Sequence, residues 1–393
     1  MYITYTAEQE DLRRRLREYF AGLMTPEIQD RLTSGDGEFG GGNLYKELVA
    51  RMGADGWLGI GWPKEYGGQA RSMMDQLIFS DEASIAGAPI PVLTINTVGP
   101  TLMQYGTDEQ KLEFLPKVLQ GQLHFSIGYS EPDAGTDLAR LRTRAVRDGD
   151  EYVINGQKMW TSLIQYADYV WLACRTDPDA PRHKGLSVIM VPTTAEGFRW
   201  TPVRTVGGTT TSQTFYEDVR VPVANLVGPE NEGWKLITNQ LNRERVALLS
   251  AATIQRSLAE TRKWAQESKL PDGRRVIDQE WVQTNLAEVH AKVEFLKLIN
   301  WKIAWGVDKG LSPADASATK VFGSEFYIEA YRLLMECFGS EAYVKVNSPG
   351  AKLKGRIERS YQGTLILTFG GGTNEIQRDI IAMVGLGMPR APR

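Results

Sequence analysis

The hydrophobic pattern of this 393-residue chain changes its period twice, and this change constrains the fold more than any other feature. Up to residue 123 apolar residues recur at helical spacing, as Leu12, Leu16 and Phe20 do, and helical spacing returns after residue 234. Between these points they alternate or form short β-branched runs bounded by turn-forming residues. We therefore predict an α+β multidomain fold, with an N-terminal helical domain over 1–123, a middle antiparallel β domain over 124–234 and a C-terminal helical bundle over 235–393.

A β-hairpin is predicted within the middle domain. Asn155-Gly156 suits a tight turn with positive φ, and it separates the runs 152–154 and 158–160. Four further runs predict strands at 169–173, 186–191, 198–201 and 214–221. In the bundle, clusters of helix-breaking residues predict interruptions at 271–273, 347–350 and 370–372.

Charge and composition exclude several classes of protein. The chain carries 45 Lys and Arg against 48 Asp and Glu, which is not the positive excess of a nucleic-acid-binding protein. Its apolar runs are shorter than the roughly 18–20 residues of a membrane span, and its first ten residues do not resemble a secretory signal. Cys174, Cys337 and three histidines provide neither a disulfide framework nor a zinc site. We expect a cytoplasmic protein without a metal.

Two conspicuous patterns predict no binding site. Gly35, Gly37 and Gly40 form a G-x-G-x-x-G pattern, but a dinucleotide-binding loop must follow a strand and open a helix. Here the three glycines lie in a polar stretch between two predicted helices. The arginines at positions 13, 14, 15 and 17 are interpreted as a solvated face of the first helix.

Two segments of the middle domain carry the chemical signal. GYSEPDAGTD at 128–137 predicts a strand that runs into a glycine-rich turn with several hydrogen-bond donors. DEYVINGQKMWTS at 150–162 ends on Trp160 beside two hydroxyl residues. An indole and hydroxyls would suit a planar heterocycle, whereas a structural turn and a tryptophan in a β core are the commoner case for such residues alone.

Together these segments resemble the flavin-binding core of the acyl-CoA dehydrogenase family. Two further matches agree with that family, VPVANLVGPENEGW at 221–234 and GGGTNEIQR at 370–378. The resemblance covers nearly the whole chain in the family's helical–β–helical order. Within the family, the chain is most similar to the α subunit of actinobacterial steroid side-chain acyl-CoA dehydrogenases.

The resemblance implies FAD as cofactor, held from two domains. In the middle domain, the 129–136 turn would line the isoalloxazine and pyrophosphate, while an indole and a hydroxyl pack on the far face of the flavin. In the bundle, two residues after the Gly370 turn would hold the cofactor. The implied FAD-binding residues are Tyr129, Ser130, Gly135, Thr136, Trp160, Ser162, Thr373 and Glu375.

The reaction of the family removes an α-proton of an acyl thioester, so it requires one carboxylate base. In many members this Glu lies just before the Gly-Thr of the C-terminal loop, where the present chain has Gly371. A smaller subset, including isovaleryl-CoA and long-chain acyl-CoA dehydrogenases, places the base on a helix that opens the C-terminal domain. The matching position is Glu244.

The spacing of apolar residues supports this assignment. One helical stripe is predicted to carry Ile237, Leu241, Leu248 and Ala251, and Glu244 falls on the stripe. Burial there would raise the pKa of a carboxyl group, as a general base near neutral pH requires. The alternative is a structural ion pair of Glu244 with Arg243 or Arg245.

Two further residues are implied in substrate binding. The backbone N–H of Gly371 would donate to the thioester carbonyl and stabilise the enolate. Arg245 would meet the CoA phosphates or pantetheine, or else form an ordinary ion pair.

The chain departs from homotetrameric family members in ways that predict a partner. The R-x-x-F-G and Gly-Gly-x-Gly patterns that reach a neighbouring subunit's flavin are missing from 268–279 and 338–342. We therefore expect a second acyl-CoA dehydrogenase-like chain, an α2β2 heterotetramer, and an electron-accepting flavoprotein. The expected reaction makes a 2,3-enoyl-CoA from an acyl-CoA, with a bulky steroid side-chain thioester as substrate. The alternatives are an acyl-CoA oxidase and a non-catalytic structural subunit.

Overall fold

The computed structural model describes residues 3–34, 39, 42–247, 249–306, 312–346 and 348–390, without the side chains of 34 and 242–248. The N-terminal region is helical, as predicted. Capping boxes at Thr6, Ser72 and Thr107 start three of its helices, because each hydroxyl accepts a backbone N–H that the helix leaves unpaired. The helices are α1 (Ala7–Leu23), α2 (Pro26–Ser34), α3 (Leu44–Ala54), α4 (Met73–Ala86), α5 (Gly99–Tyr105) and α6 (Asp108–Leu119).

The first helix does more than present a charged face to solvent. Arg13 and Arg17 both donate to Glu82 of α4, whose carboxylate is buried, at 2.9–3.0 Å. Arg14 and Arg15 form exposed ion pairs within α1, as the interpretation of a solvated face requires. The arginine cluster therefore has two roles, of which one ties α1 to α4.

An eight-stranded sheet forms the middle of the chain. Its main path runs β6-β7-β3-β2-β4-β5-β8, and β1 pairs with β4 beside it. Most pairings are antiparallel, but β4 runs parallel to both β1 and β2. The strands are β1 (Phe125–Gly128), β2 (Arg144–Asp148), β3 (Glu151–Lys158), β4 (Tyr169–Arg175), β5 (Leu186–Pro192), β6 (Phe198–Arg204), β7 (Thr210–Pro222) and β8 (Leu226–Val227).

The hairpin predicted at Asn155-Gly156 is wrong. Both residues lie inside the continuous strand β3, at a bulge where its pairing with β7 shifts register. Gly156 has φ 154°, and a Cβ there would lie 2.5 Å from the Thr143 hydroxyl, so glycine serves close packing between strands. The actual hairpin joins β2 to β3 and turns at Gly149, where φ is +62°.

The C-terminal part is a helical bundle with the predicted breaks at 271–273 and 370–372, while Asn347 of the third predicted break lies outside the described residues. The predicted single helix across 237–251 is wrong. The structure has one helix up to Ala247 and starts another at Ala251, capped by the Ser250 hydroxyl. The helices are α7 (Gly233–Ala247), α8 (Ala251–Glu267), α9 (Glu280–Gly306), α10 (Pro313–Glu336), α11 (Arg356–Thr364) and α12 (Asn374–Ile380).

Three apolar cores among the described residues hold these layers together. The largest joins the N-terminal helices to one face of the sheet and to Leu236 and Ile237 of α7. A second lies among α8, α9 and α10, and the third covers the other face of the sheet. Because α7 packs into the first core, it lies against the sheet and the N-terminal helices. Among the helices that the structure describes, none is both long and apolar enough to cross a membrane.

Candidate functional site

The glycine-rich turn at 129–136 follows the end of β1. Glu131 and Ala134 exchange two backbone hydrogen bonds of 3.0 and 3.1 Å, which fold the turn tightly. Gly135 and Thr136 at its tip are exposed, and a Cβ at Gly135 would meet nothing within 4 Å. The tip therefore leaves its polar groups open to a ligand.

Trp160 lies beside this turn because the two segments are hydrogen-bonded. The Met159 N–H donates to the Ser130 carbonyl at 2.8 Å. Trp160 itself has φ +67°, an unusual backbone for a bulky residue, and its side chain is 53% exposed. The structure thus brings the predicted residues Tyr129, Ser130 and Trp160 together, with an aromatic face turned to the outside.

A group of hydroxyls accompanies this tryptophan. The Ser162 hydroxyl lies 3.3 Å from that of Thr211, and the Ser126 hydroxyl donates to the Ser162 carbonyl at 2.8 Å. The hydroxyl of Ser212 is buried and has no hydrogen-bond partner among the described residues. The exposed indole beside the half-buried Ser162 hydroxyl suits a planar heterocycle with a hydrogen-bonding edge.

A buried ion pair that sequence reasoning missed fixes both segments. Lys158 Nζ donates to the Tyr129 carbonyl and to Glu131 Oε1, both at 2.9 Å, and the Lys158 side chain has no exposed surface. Glu131 also accepts the backbone N–H groups of Arg142 and Thr143 at 2.7 and 2.8 Å. The signal was present, because position 158 continues the inward-facing series of 152 and 154 on β3.

The pKa values of this pair follow from its burial. Burial would raise the pKa of Glu131, but Lys158 and the Thr143 donors hold it below its ordinary value. Burial also lowers the pKa of the Lys158 ammonium, and the carboxylate opposes that shift. The two groups are therefore stable as charges mainly because they have each other.

A second missed feature links the turn to α7. The Tyr129 hydroxyl hydrogen-bonds to Gln240 Oε1 of α7, and the Trp171 indole N–H donates to the same hydroxyl at 3.2 Å. Trp171 and Gln240 are fully buried, and Tyr129 is 7% exposed. The hydroxyl and the carbonyl of Tyr129 are thus both engaged in the interior, where they hold the turn against the sheet and α7.

The predicted residues of the C-terminal loop lie at the start of α12, on the bundle. Thr373 caps α12 by accepting the Ile376 N–H, and Glu375 is exposed in the first turn. Gly371 has φ +69°, a left-handed backbone in which glycine is unstrained. Lys320 of α10 is buried and donates to Asn374 at 2.7 Å, which ties this loop to the bundle.

The remaining predicted site residues are on α7. Positions 244 and 245 lie on the backbone of α7, one turn or more after Gln240, but the side chains of Glu244 and Arg245 lie outside the described part of the chain. The glycines of the N-terminal G-x-G-x-x-G pattern, Gly35, Gly37 and Gly40, also lie outside the described residues.

In a helical–β–helical chain, the exposed indole, the glycine-rich turn and the neighbouring hydroxyls together offer a planar cofactor a stacking face and a hydrogen-bonding edge. Family models of the acyl-CoA dehydrogenases match the chain in three parts: the N-terminal domain over residues 6–122, the middle domain over 126–219 and the C-terminal domain over 231–386. These matches span all three layers of the fold.

Known proteins agree over the full length. The chain is 67% identical to acyl-CoA dehydrogenase FadE26 of Mycobacterium tuberculosis, with 100% of both chains covered. A crystal structure described as the ChsE4–ChsE5 complex from the same organism superposes with a TM-score of 0.92, at 67% identity and full coverage of both chains. A structure described as the Tcur3481–Tcur3483 steroid ACAD gives a TM-score of 0.91 at 50% identity, again with full coverage.

The chain belongs to the acyl-CoA dehydrogenase family. It is a flavoprotein oxidoreductase that uses FAD to dehydrogenate an acyl-CoA thioester. The isoalloxazine of FAD is a planar heterocycle of the kind that Trp160 and the neighbouring hydroxyls fit, so the residues present agree with the cofactor of the family.

Proposed function

We propose that this chain is the catalytic subunit of a heteromeric acyl-CoA dehydrogenase that converts a steroid side-chain acyl-CoA to its 2,3-enoyl-CoA. The observation that carries the catalytic assignment is the contact between α7 and the 129–136 turn. Gln240 hydrogen-bonds to Tyr129 of that turn, and position 244 follows Gln240 by about one helical turn. A base on this helix would therefore be carried next to the flavin-binding segment.

Residues of two domains would hold FAD in this proposal. The middle domain supplies the turn with its open tip and the exposed indole, and the bundle supplies the cap and first turn of α12. When bound, the flavin accepts the β-hydrogen of the substrate as hydride. The proposed FAD-binding residues are Tyr129, Ser130, Gly135, Thr136, Trp160, Ser162, Thr373 and Glu375.

Two groups of this chain would handle the α-proton. Glu244 removes it as general base, and the backbone N–H of Gly371 donates to the thioester oxygen as negative charge develops there. The left-handed backbone at Gly371 is one that a residue with a Cβ adopts only with strain, which agrees with a base located elsewhere. Arg245 would bind the CoA portion through its permanent charge.

The proposed partner is a second acyl-CoA dehydrogenase-like chain in an α2β2 heterotetramer. Support comes from the ChsE4–ChsE5 complex and the Tcur3481–Tcur3483 steroid ACAD, whose descriptions also suggest the steroid substrate. The bundle exposes large apolar side chains that a partner would cover. They are Phe295, Leu298, Trp305, Leu365, Ile366, Phe369, Val384, Leu386 and Met388.

Two accessory proposals complete this function. An electron-transferring flavoprotein would reoxidise the flavin, which agrees with the structural similarity to a chain from such a system in Acidaminococcus fermentans. The enzyme would operate in the cytoplasm, since both of its cysteines, Cys174 and Cys337, are buried free thiols.

The test is flavin bleaching by the enzyme co-expressed with its partner chain. We expect faster bleaching with steroid side-chain acyl-CoA than with long or short straight-chain acyl-CoA. Glu244→Gln should slow bleaching by about 10²–10⁴-fold, while Glu267→Gln, an equal charge removal at an exposed position of α8, should have no effect.

Each part of the proposal can fail separately. Undiminished bleaching by Glu244→Gln would favour a non-catalytic structural subunit. Preference for short straight chains would remove the steroid substrate, and a fully active, flavin-loaded homotetramer of this chain alone would remove the partner. Rapid reoxidation of the reduced flavin by oxygen would identify an acyl-CoA oxidase.

A further inference from the structure

Three buried side chains form a hydrogen-bonded relay from the sheet to α7. Trp171 of β4 donates to the Tyr129 hydroxyl at 3.2 Å, and this hydroxyl bonds to Gln240 Oε1. The relay joins residues that are 42 and 111 positions apart in the chain. It is a polar contact between the turn at 129–136 and the helix on which the proposed base lies.

Each bond in the relay has a direction. The Trp171 indole N–H can only donate, and it donates to the Tyr129 hydroxyl, which in turn donates its proton to Gln240 Oε1. Gln240 Nε2 is left buried without a partner among the described residues. A buried donor without a partner costs free energy that an apolar residue would not. The bond between Gln240 and Tyr129 is therefore formed at the cost of one unpaired donor.

Helix geometry relates Gln240 to position 244. Residues four apart lie on the same face of an α-helix, about 6 Å apart along its axis. A bond at Gln240 thus fixes both the rotation and the height of the helix at the neighbouring turn. We infer that Gln240 is a positioning residue, which holds α7 against the Tyr129 turn so that position 244 keeps a constant distance from the flavin. This inference rests on the proposed function.

The backbone just beyond α7 is also held, by separate groups. Asn300 of α9 accepts the Ala251 N–H at 3.0 Å and donates to the Leu249 carbonyl at 3.1 Å. Ser250 donates to Asp81 of α4 at 2.5 Å. The connection from α7 to α8 is therefore fixed to the N-terminal helices and the bundle, whereas the relay at Gln240 ties α7 to the flavin-binding turn.

The test uses the flavin-loaded enzyme, purified with its partner chain, in Gln240→Leu, Tyr129→Phe and the double variant. Gln76→Leu is the matched control. Gln76 lies on α4 and is also a buried glutamine whose Nε2 has no partner among the described residues. Its Oε1 accepts one hydrogen bond, from the Gly61 N–H at 3.0 Å. Stopped-flow absorbance would measure the rate of flavin reduction by acyl-CoA. The long-wavelength absorption with a non-oxidisable 3-thia-acyl-CoA would report α-deprotonation beside the oxidised flavin.

We expect Gln240→Leu to lower the rate of flavin reduction by about 10- to 100-fold with little change in KM, because a misplacement of about 1 Å is enough for such a loss. The 3-thia-acyl-CoA absorption should fall in parallel. Tyr129→Phe should have a similar effect, and the double variant should lose no more than the stronger single variant. Gln76→Leu should be destabilised to a similar extent but reduce its flavin at the normal rate.

The inference would be overturned if Gln240→Leu lowered the unfolding midpoint but left the rate of flavin reduction and the 3-thia-acyl-CoA absorption unchanged. Strictly additive effects of the two single variants would also overturn it. Failure of the proposed function has a different signature. In that case Glu244→Gln would retain α-deprotonation, whatever the behaviour of Gln240→Leu.

Discussion

The buried pair of Lys158 and Glu131 allows a quantitative prediction. Lys158 has no exposed surface, and the Glu131 side chain is 7% exposed, so each charge depends on the other and on nearby backbone groups. In Lys158→Met the carboxylate stays buried without its cation, and in Glu131→Gln the ammonium stays buried without its anion. Each single variant should lose about 3–5 kcal/mol of unfolding free energy, the usual cost of removing one partner of a buried pair.

The double variant Lys158→Met/Glu131→Gln separates this effect from simple loss of contacts. It has no buried charge, and its amide oxygen can still accept one backbone N–H of the 142–143 segment. Its cost should therefore be at least about 2 kcal/mol smaller than the sum of the single variants. Urea unfolding followed by tryptophan fluorescence would measure all three, with flavin content determined from visible absorbance.

Acid adds a second measurement to the same cycle. Because the pKa of Glu131 is below its ordinary value of 4.5, the pair contributes stability above pH 4.5 and loses it as the pH falls through the lowered pKa. The wild type should approach the double variant in stability in this range. Additive costs at neutral pH, or a constant difference between the two proteins in acid, would refute this account.

Three further predictions concern His124, Gly53 and Asn300. Burial and the charge of Lys46 lower the pKa of His124 from 6.5 to about 4. Between these pH values the unfolded chain binds a proton that the folded chain does not, so the unfolding free energy should fall by up to about 3 kcal/mol as the pH falls from 6.5 to 4. Urea titrations should show this fall in the wild type and not in His124→Phe. A Cβ at Gly53 would lie 2.3 Å from a backbone carbon at the C-cap of α6, so Gly53→Ala should lower the melting temperature. Gly22 of α1 has open space around it, so Gly22→Ala should raise the unfolding free energy by about 0.5–1 kcal/mol. Asn300→Leu should cost about 2–4 kcal/mol in the same unfolding assay, since two buried backbone groups lose their partner.

The layers of the fold were predictable because each depends on local hydrophobic period. The helical regions, most strands and the break at 271–273 follow from apolar spacing and turn residues, and the structure has them. The hairpin at Asn155-Gly156 was wrong because a bulge and a tight turn use the same residue type, and only the partner strands distinguish them. The split between α7 and α8 was missed although Ser250 is a good N-cap, because apolar spacing continues across it.

The candidate site was predictable only in part. The residues around Tyr129 and those around Trp160 could be found because each group forms one short continuous motif that matches the family. The bond from Tyr129 to Gln240 spans 111 positions, and neither residue type indicates the contact. Lys158 was visible as a charge in an inward-facing strand position, but its partner became evident only once the turn at Glu131 was folded against it.

The backbone of Trp160 has a consequence for the energetics of the free chain. A tryptophan at φ +67° is less stable there than glycine or asparagine would be, by an amount of about 1 kcal/mol. Because the residue is also 53% exposed, the free chain recovers little of this cost by packing the ring. A ligand that covered the indole would supply the packing that the free chain lacks.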